Sequence, residues 1–435
     1  MGIAQRMTSA TFRLLRSTDH RTIGAQQKLF FFDETSKGSC FFEPRGARIY
    51  NKLIDYLRGQ YEKRGYDEVI TPNVYSCKLW ETSGHWNHYK DHMIRFDLGE
   101  YEHSLKPMNC PGHCLIYKKQ GVITSDLLPI RWADFGVLHR NELSGTLIGL
   151  SRVRKFQQDD AHIFCTPQQV QSEVVNCLKF AIDVYQKFDF SFAVKLSLRP
   201  EQYLGDSEKW DMAEQSLRDA LRSIDMEFQE DRFEGAFYGP KIDLTVTDCR
   251  GKSIQCATVQ LDFQLPERFN LSYKDLNCLD GRTKRPVMIH RAILGSLERF
   301  IALLAENYEG KWPFWLSPLQ AIVIPVHENF NNYAKQLCDE FRGLAHWVDC
   351  DTSSDRMNAK LRNALLMRYN FIFIVGQKEY DSGTITCRIA ADHYSKSTIT
   401  NINLPKDKLK KYFRDFERQL VDRADIEMMR RENRL

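Results

Sequence analysis

The sequence predicts two domains of different kinds: an α+β domain on an antiparallel sheet, then a smaller α/β domain with a mostly parallel sheet. Three observations predict this. Across the middle of the chain many short strand candidates occur without regular alternation with helices, the pattern of an antiparallel sheet. Residues 313–318, bounded by Pro313 and Pro318, read as a linker. Beyond that stretch strand and helix alternate, which marks an α/β unit.

The elements follow in order. Phe30, Phe31 and Phe32 are separated from Phe41 and Phe42 by a polar turn over 33–39. Residues 48–63 predict a helix, with Ile49, Leu53, Tyr56, Leu57 and Tyr61 on one face. Gly65 ends it, and a strand over 67–70 is closed by Pro72. Strands are predicted at 130–135, 155–158, 193–197, 242–246 and 254–260, and helices at 170–188, 211–224 and 292–306. After the linker come a strand at 320–325, a helix at 329–344 and a strand at 346–350. A helix at 356–369, a strand at 371–375 and a charged amphipathic helix at 406–423 complete the series.

Composition narrows the function classes. The chain has 435 residues, 43% hydrophobic and 27% charged, the balance of a soluble globular protein. No run approaches the ~18 apolar residues of a membrane span, so no membrane role is expected. A net charge of +4 permits nucleic-acid binding without pointing to it. The 12 cysteines include no CxxC pair, and a chain this long needs no disulfides, so most read as reduced and buried. Residues 1–18 carry Arg6, Arg13 and Arg16, several Ser and Thr, and no acid before Asp19. That is the composition of a mitochondrial targeting segment, with a frayed basic terminus as the alternative.

The densest chemistry lies at 131–165, RWADFGVLHRNELSGTLIGLSRVRKFQQDDAHIFC. A strand leads into a loop with Gly145 and Gly149 and the cluster Arg140, Arg152 and Arg154. A second strand then carries Gln158, Asp160 and His162, which alternate and so share one face. Phe156 and Phe164 keep the same parity, which favours a cleft over open solvent.

This segment resembles the second signature motif of class II aminoacyl-tRNA synthetases; residues 46–72 resemble the first and GSLERF at 295–300 the third. KPMNCPGH at 106–113, RNELSG at 140–145, QDDAHIFC at 158–165, FYGPKID at 237–243 and MIHRAILGSLERF at 288–300 together resemble the threonyl-tRNA synthetase family, over about 19–435. The class I signatures HIGH and KMSKS and a Walker A loop are absent from the sequence.

The resemblance implies a class II catalytic domain at 19–316 and an anticodon-binding domain at 317–435. The implied activity uses ATP to convert L-threonine to threonyl-adenylate, releasing pyrophosphate, and then transfers threonine to the 3' end of tRNA(Thr). Charge builds on the phosphate oxygens, and fixed cations stabilise it. By resemblance Arg140 holds the α-phosphate and Arg299 the γ-phosphate, with Mg²⁺ assisting and Glu142 on the adenine side. Met108, Gln158, Tyr238, Lys241, Gln255 and Gln260 match positions of the threonine and adenylate pocket, Lys241 counted with the catalytic set. His85 matches a histidine near the ribose of the terminal adenosine in the transfer step.

Cys110, His162 and His290 are far apart in sequence, and each alone reads as a buried cysteine or a core histidine. The resemblance assigns all three to one Zn²⁺, with a fourth position open. Threonine offers that position an amino group and a hydroxyl together, which valine cannot, and Asp160 would accept the hydroxyl hydrogen bond. Glu379 and Arg388 match anticodon-reading positions, while 389–401 is longer than the family pattern. A homodimer through the first motif, a mitochondrial matrix location and no separate editing domain are expected. Serine lacks only a methyl, worth about 1–3 kcal/mol, so serine activation is expected too. The rival readings are a synthetase for another amino acid, such as serine or proline, and a catalytically silent regulator.

Overall fold

The computed structural model describes residues 19–232, 234–236, 238–247, 251, 253–276, 282–389 and 400–420, apart from the side chains of His88 and Thr400. The basic segment at 1–18 and most of the long stretch at 389–401 therefore lie outside the described residues. Two compact units emerge. One comprises Phe32–Cys40 and Ile54–Leu303; the other comprises the residues up to Phe31, Phe41–Leu53 and those from Leu304 on.

Helix α1 (Pro44–Glu62) begins earlier than the sequence predicts. Pro44 is its first residue, where the ring's fixed φ suits a helix and the missing N–H is no loss. Ile49, Leu53, Leu57 and Tyr61 are buried at four-residue spacing, the face expected from the sequence. Gly65, at φ 67°, reverses the chain into β1 (Asp67–Glu68).

In the larger unit α2 (Cys110–Lys119) is followed by β2 (Ile130–Asp134), β3 (Val137–His139), β4 (Lys155–Gln157) and β5 (Asp160–Cys165). Then come α3 (Val170–Lys187), β6 (Phe192–Ser197), α4 (Ser207–Arg222) and β7 (Gln229–Asp231). Strands β8 (Lys241–Thr247), β9 (Ser253–Asp262) and β10 (Val287–Ala292) precede α5 (Leu297–Asn307). Eight strands form one sheet in the order β7-β6-β8-β9-β10-β5-β2-β1. The six inner strands pair antiparallel, as the sequence predicts; the two edge pairs are parallel. The register sets His162 opposite His290, and His290 opposite Gln260. α3 packs its buried face of Val174, Cys177, Leu178, Ala181 and Tyr185 against β9 and β10.

One expectation fails here. The helix predicted at 292–306 starts only at Leu297, because β10 runs through Ala292 and Gly295, at φ 73°, makes the turn between them. The predicted linker at 313–318 is a turn-containing segment without helix or strand, and its apolar side chains are buried. Trp312, Phe314, Trp315 and Leu316 are almost fully enclosed, and Phe314 joins the core of the smaller unit. The apolar side chains between the prolines decide that burial.

The smaller unit runs β11 (Ala321–Pro325), α6 (Asn331–Arg342), β12 (Val348–Cys350), α7 (Met357–Leu366), β13 (Phe371–Val375) and α8 (Gln377–Ser382). It continues with β14 (Thr384–Ile389), β15 (Thr400–Pro405) and α9 (Lys406–Arg418). The sheet order is β12-β11-β13-β14-β15. The first three strands are parallel, as expected for strands joined through helices. β14 and β15 add an antiparallel ribbon that the sequence reading missed.

Candidate active site

Three side chains converge above the centre of the larger sheet. His162 on β5 and His290 on β10 are cross-strand partners on the same face, and their rings meet with Nε2 of His162 3.0 Å from Nδ1 of His290. Cys110, the first residue of α2, completes the group: one donor atom from each of the three lies within 4.8 Å of the others. All three are buried, at 3%, 1% and 9% exposure for Cys110, His162 and His290. Burial holds His162 well below the usual imidazole range, helped by the like charges of His113 and His290. Burial likewise pushes the Cys110 thiol up, and Asp160 adds to it.

This donor set fits the zinc expected from the sequence: one sulfur and two imidazole nitrogens suit zinc, and three protein ligands leave a position for substrate. A second group, Asp19, His20 and Glu306, also has its donor atoms close together. There Asp19 is engaged by Arg21, and Glu306 by His20 at 2.8 Å, which reads as a structural ion pair.

A cavity of about 240 Å³ opens from the trio. Gln158 and Asp160 line it together with His162, and the alternation of Asp160 and His162 on β5 does point one way. Asp160 is fixed by Asn109, whose Nδ2 donates to it at 3.1 Å. Burial raises the Asp160 pKa, partly offset by His113 and His290. Tyr238 donates to Gln260 Oε1 at 3.2 Å, and Gln260 Nε2 donates to the Gly239 carbonyl at 3.3 Å, so these two wall residues hold each other in place. Met108 and His85 also line the cavity; His85 Nδ1 lies 2.8 Å from Ser83 Oγ.

Arg140 supplies the positive charge. Its guanidinium lies 5.0 Å from the Phe156 ring centroid and 5.8 Å from that of Tyr89. Its buried Nε has no hydrogen-bond partner among the described residues. Arg299, in the first turn of α5, donates from Nε to the Ser151 carbonyl at 3.1 Å. Desolvation lowers its pKa first, and the like charges of Arg140 and Arg152 add to that. Glu142 is bound by Arg152 at 2.7 Å.

The predicted site residues thus divide. His85, Met108, Cys110, Arg140, Gln158, Asp160, His162, Tyr238, Gln260 and His290 share the cavity wall. Glu142, Lys241, Gln255 and Arg299 do not line it. Lys241 and Gln255 are instead held by Asp243, at 2.7 Å and 2.6 Å. Thr258, which does line the cavity, bonds the same carboxylate at 2.9 Å. Glu379 and Arg388 lie in the smaller unit. Glu379 is nearly buried, accepting from the Gly376 amide and from Thr386 Oγ1, and Arg388 donates to Asn401. Sequence reasoning gave no role to Asn109, His113, Thr258 or Asp262. Asn109 and His113 stood inside a quoted motif, whereas Asp262 carried no signal of its own.

The fold and this site define the core of a class II aminoacyl-tRNA synthetase. The family described as tRNA synthetase class II core domain (G, H, P, S and T) matches 93–308, and the one described as anticodon binding domain matches 320–418. The solved RNA-binding domain of threonyl-tRNA synthetase from Cryptosporidium parvum is 47% identical, with a TM-score of 0.87, covering 91% of this chain and 98% of that one. The chain belongs to the threonyl-tRNA synthetase family.

Human cytoplasmic threonine–tRNA ligase 1 is 53% identical over 374 residues, 86% of this chain and 51% of that protein. Mitochondrial threonine–tRNA ligase 1 of Arabidopsis thaliana is 51% identical over 381 residues, 87% of this chain and 53% of that protein. The chain spans about half the length of the curated relatives it matches.

Proposed function

We propose that this chain is a threonine–tRNA ligase that activates threonine with ATP and transfers it to tRNA, and that a zinc ion in the Cys110–His162–His290 site selects the amino acid. The observation that carries the reading is the convergence of these three donors at one end of a cavity that Arg140 also lines. Zinc bound there supplies a Lewis acid for the amino and hydroxyl groups of threonine, a pairing that valine cannot offer. Asp160, fixed by Asn109, accepts the hydrogen bond of the substrate hydroxyl. As the threonine carboxylate attacks the α-phosphate and pyrophosphate leaves, Arg140 stabilises the charge on the phosphate oxygens. Arg299 would hold the outer phosphates, where Mg²⁺ would supply further positive charge, Glu142 would lie on the adenine side, and Lys241 and Gln255 would act from the Asp243 cluster, which the cavity-lining Thr258 also joins.

Residues 19–316 are the catalytic domain in this reading and 317–435 the anticodon-binding domain, with Glu379 and Arg388 towards the anticodon. The matches at 93–308 and 320–418 support that division. A homodimer through 46–72 and a mitochondrial location belong to the same reading. The basic, acid-poor segment at 1–18 and the Arabidopsis relative support the location, while cytoplasmic relatives are as similar. Among the described residues no helix is long and apolar enough to cross a membrane.

Amino-acid-dependent ATP–pyrophosphate exchange tests the proposal. Threonine should support strong exchange, serine exchange weaker by roughly 10- to 200-fold, and valine none. His162→Ala should lose metal and threonine exchange together. Exchange with valine equal to that with threonine, or full activity of a metal-free His162→Ala chain, would sink the zinc mechanism.

A further inference from the structure

The two metal-site histidines each engage a second hydrogen-bond partner on the side away from the site. Asp262, fully buried at the end of β9, places Oδ2 2.8 Å from His290 Nε2. Its other oxygen accepts the backbone amides of Gln264 at 2.7 Å and Leu265 at 3.0 Å, so the carboxylate cannot swing away. With Oδ1 taken by two amides, Oδ2 is placed to accept from Nε2, the tautomer of His290 that turns a bare Nδ1 towards the site. His162 is held through its other nitrogen: Nδ1 lies 2.8 Å from Nδ1 of His113. His113 Nε2 faces Asp134 Oδ2 at 3.6 Å, an ion-pair separation longer than a hydrogen bond, and makes no hydrogen bond among the described residues; the Asp134 carboxylate accepts from Thr71 at 2.6 Å.

For His162 to offer Nε2 to a metal, its proton must sit on Nδ1 and be accepted by His113 Nδ1. The His113 proton then sits on Nε2, facing Asp134. No proton enters or leaves this chain of imidazoles; each occupies one defined nitrogen.

We propose that Asp262, and His113 together with Asp134, are positioning residues that set the tautomers and ring orientations of His290 and His162, so that His290 binds metal through Nδ1 and His162 through Nε2. The inference rests on the metal reading above. It extends that reading from the three ligands to a buried support running from Asp262 on β9 to Asp134 on β2.

Asp262→Asn is the discriminating variant. Its amide oxygen can still accept from the Gln264 and Leu265 amides, which keeps that turn capped. Its NH₂ then faces His290 Nε2 and demands a lone pair there, which moves the imidazole proton to Nδ1 and blocks ligation. A residue that only capped the turn would tolerate Asn.

The test is zinc affinity of the full chain by chelator competition, with the thermal unfolding of the metal-free form and the visible spectrum of the Co²⁺-loaded form. Asp262→Asn should bind zinc roughly 10- to 100-fold more weakly, with the metal-free melting unchanged and the Co²⁺ spectrum altered. His113→Leu should weaken zinc about 10-fold, and His113→Asn, which keeps a polar atom near the Nδ1 position, should recover part of it. A wild-type chain that binds zinc while Asp262→Asn and His113→Leu bind it equally well overturns the inference alone. A wild-type chain that binds no zinc overturns the metal reading and this inference with it. If Asp262→Asn fails to fold, the two His113 variants decide.

Discussion

Asp159 and Asp160 are neighbours in the chain, and so are His290 and Arg291, yet the two members of each pair serve opposite faces of one sheet. On the back face Asp159 accepts the amides of Ile293 at 2.7 Å and Leu294 at 3.0 Å and lies 3.5 Å from Arg291. Arg291 is caged by aromatic rings, with Tyr66, Tyr61 and Phe180 centroids 4.6, 4.7 and 5.0 Å from its guanidinium. On the front face Asp160, His162 and His290 are buried to a similar depth, but they line a cavity. Both faces carry charge in a desolvated setting. The back face packs its charged pair against aromatic rings and leaves one Arg291 nitrogen without a hydrogen-bond partner among the described residues, whereas the front-face groups bring metal-binding donor atoms together beside the cavity. Depth of burial does not separate scaffold from site here; the convergence of metal-binding donor atoms does.

The sharpest way to break that contrast is to unpair the back face. Arg291→Leu strands the Asp159 carboxylate in the core and should destabilise the unit by about 3–5 kcal/mol. Thermal unfolding measures it, and the Asp159→Ala/Arg291→Leu double variant should lose less than the sum of the two singles, because it strands neither charge. A single-variant loss below 1 kcal/mol would mean that the pair is not the scaffold argued here. On the front face Arg140→Ala should leave melting almost unchanged while lowering threonine-dependent pyrophosphate exchange by about 10²- to 10³-fold. An Arg140 variant that melts early with normal exchange would reverse the two faces' roles. The smallest effect is expected at Tyr66→Phe. It removes a long hydrogen bond of 3.4 Å to Arg291 and should reduce stability by about 1 kcal/mol, with exchange unchanged.

How far the site was legible depended on the range of the signal. Gln158, Asp160 and His162 do line one cavity, although β4 ends at Gln157 and β5 begins at Asp160, so Gln158 lies between the two strands rather than on one with His162. Motif resemblance carried Cys110 and His290 to the same place, although no spacing rule joins residues on α2, β5 and β10. Lys241 and Gln255 share the front of the sheet's far strands, but Asp243 takes their side chains, a competition that a linear motif does not display. Asp262 was invisible because a single aspartate at a strand end looks the same whether it caps a turn, holds a histidine or, as here, does both.

The sequence by itself determined the class of each domain, the buried face of α1, the common face of Asp160 and His162, and the family. These depend on periodicity, alternation and the order of motifs, all of which are written along one strand of chain. The tertiary structure alone decided the pairing of His162 with His290, the enclosure of the 313–318 segment, and the contacts of His290 with Asp262 and of His162 with His113. Those outcomes rest on strand order and register, which set contacts between residues as far apart as 128 positions and which no local stretch of sequence encodes.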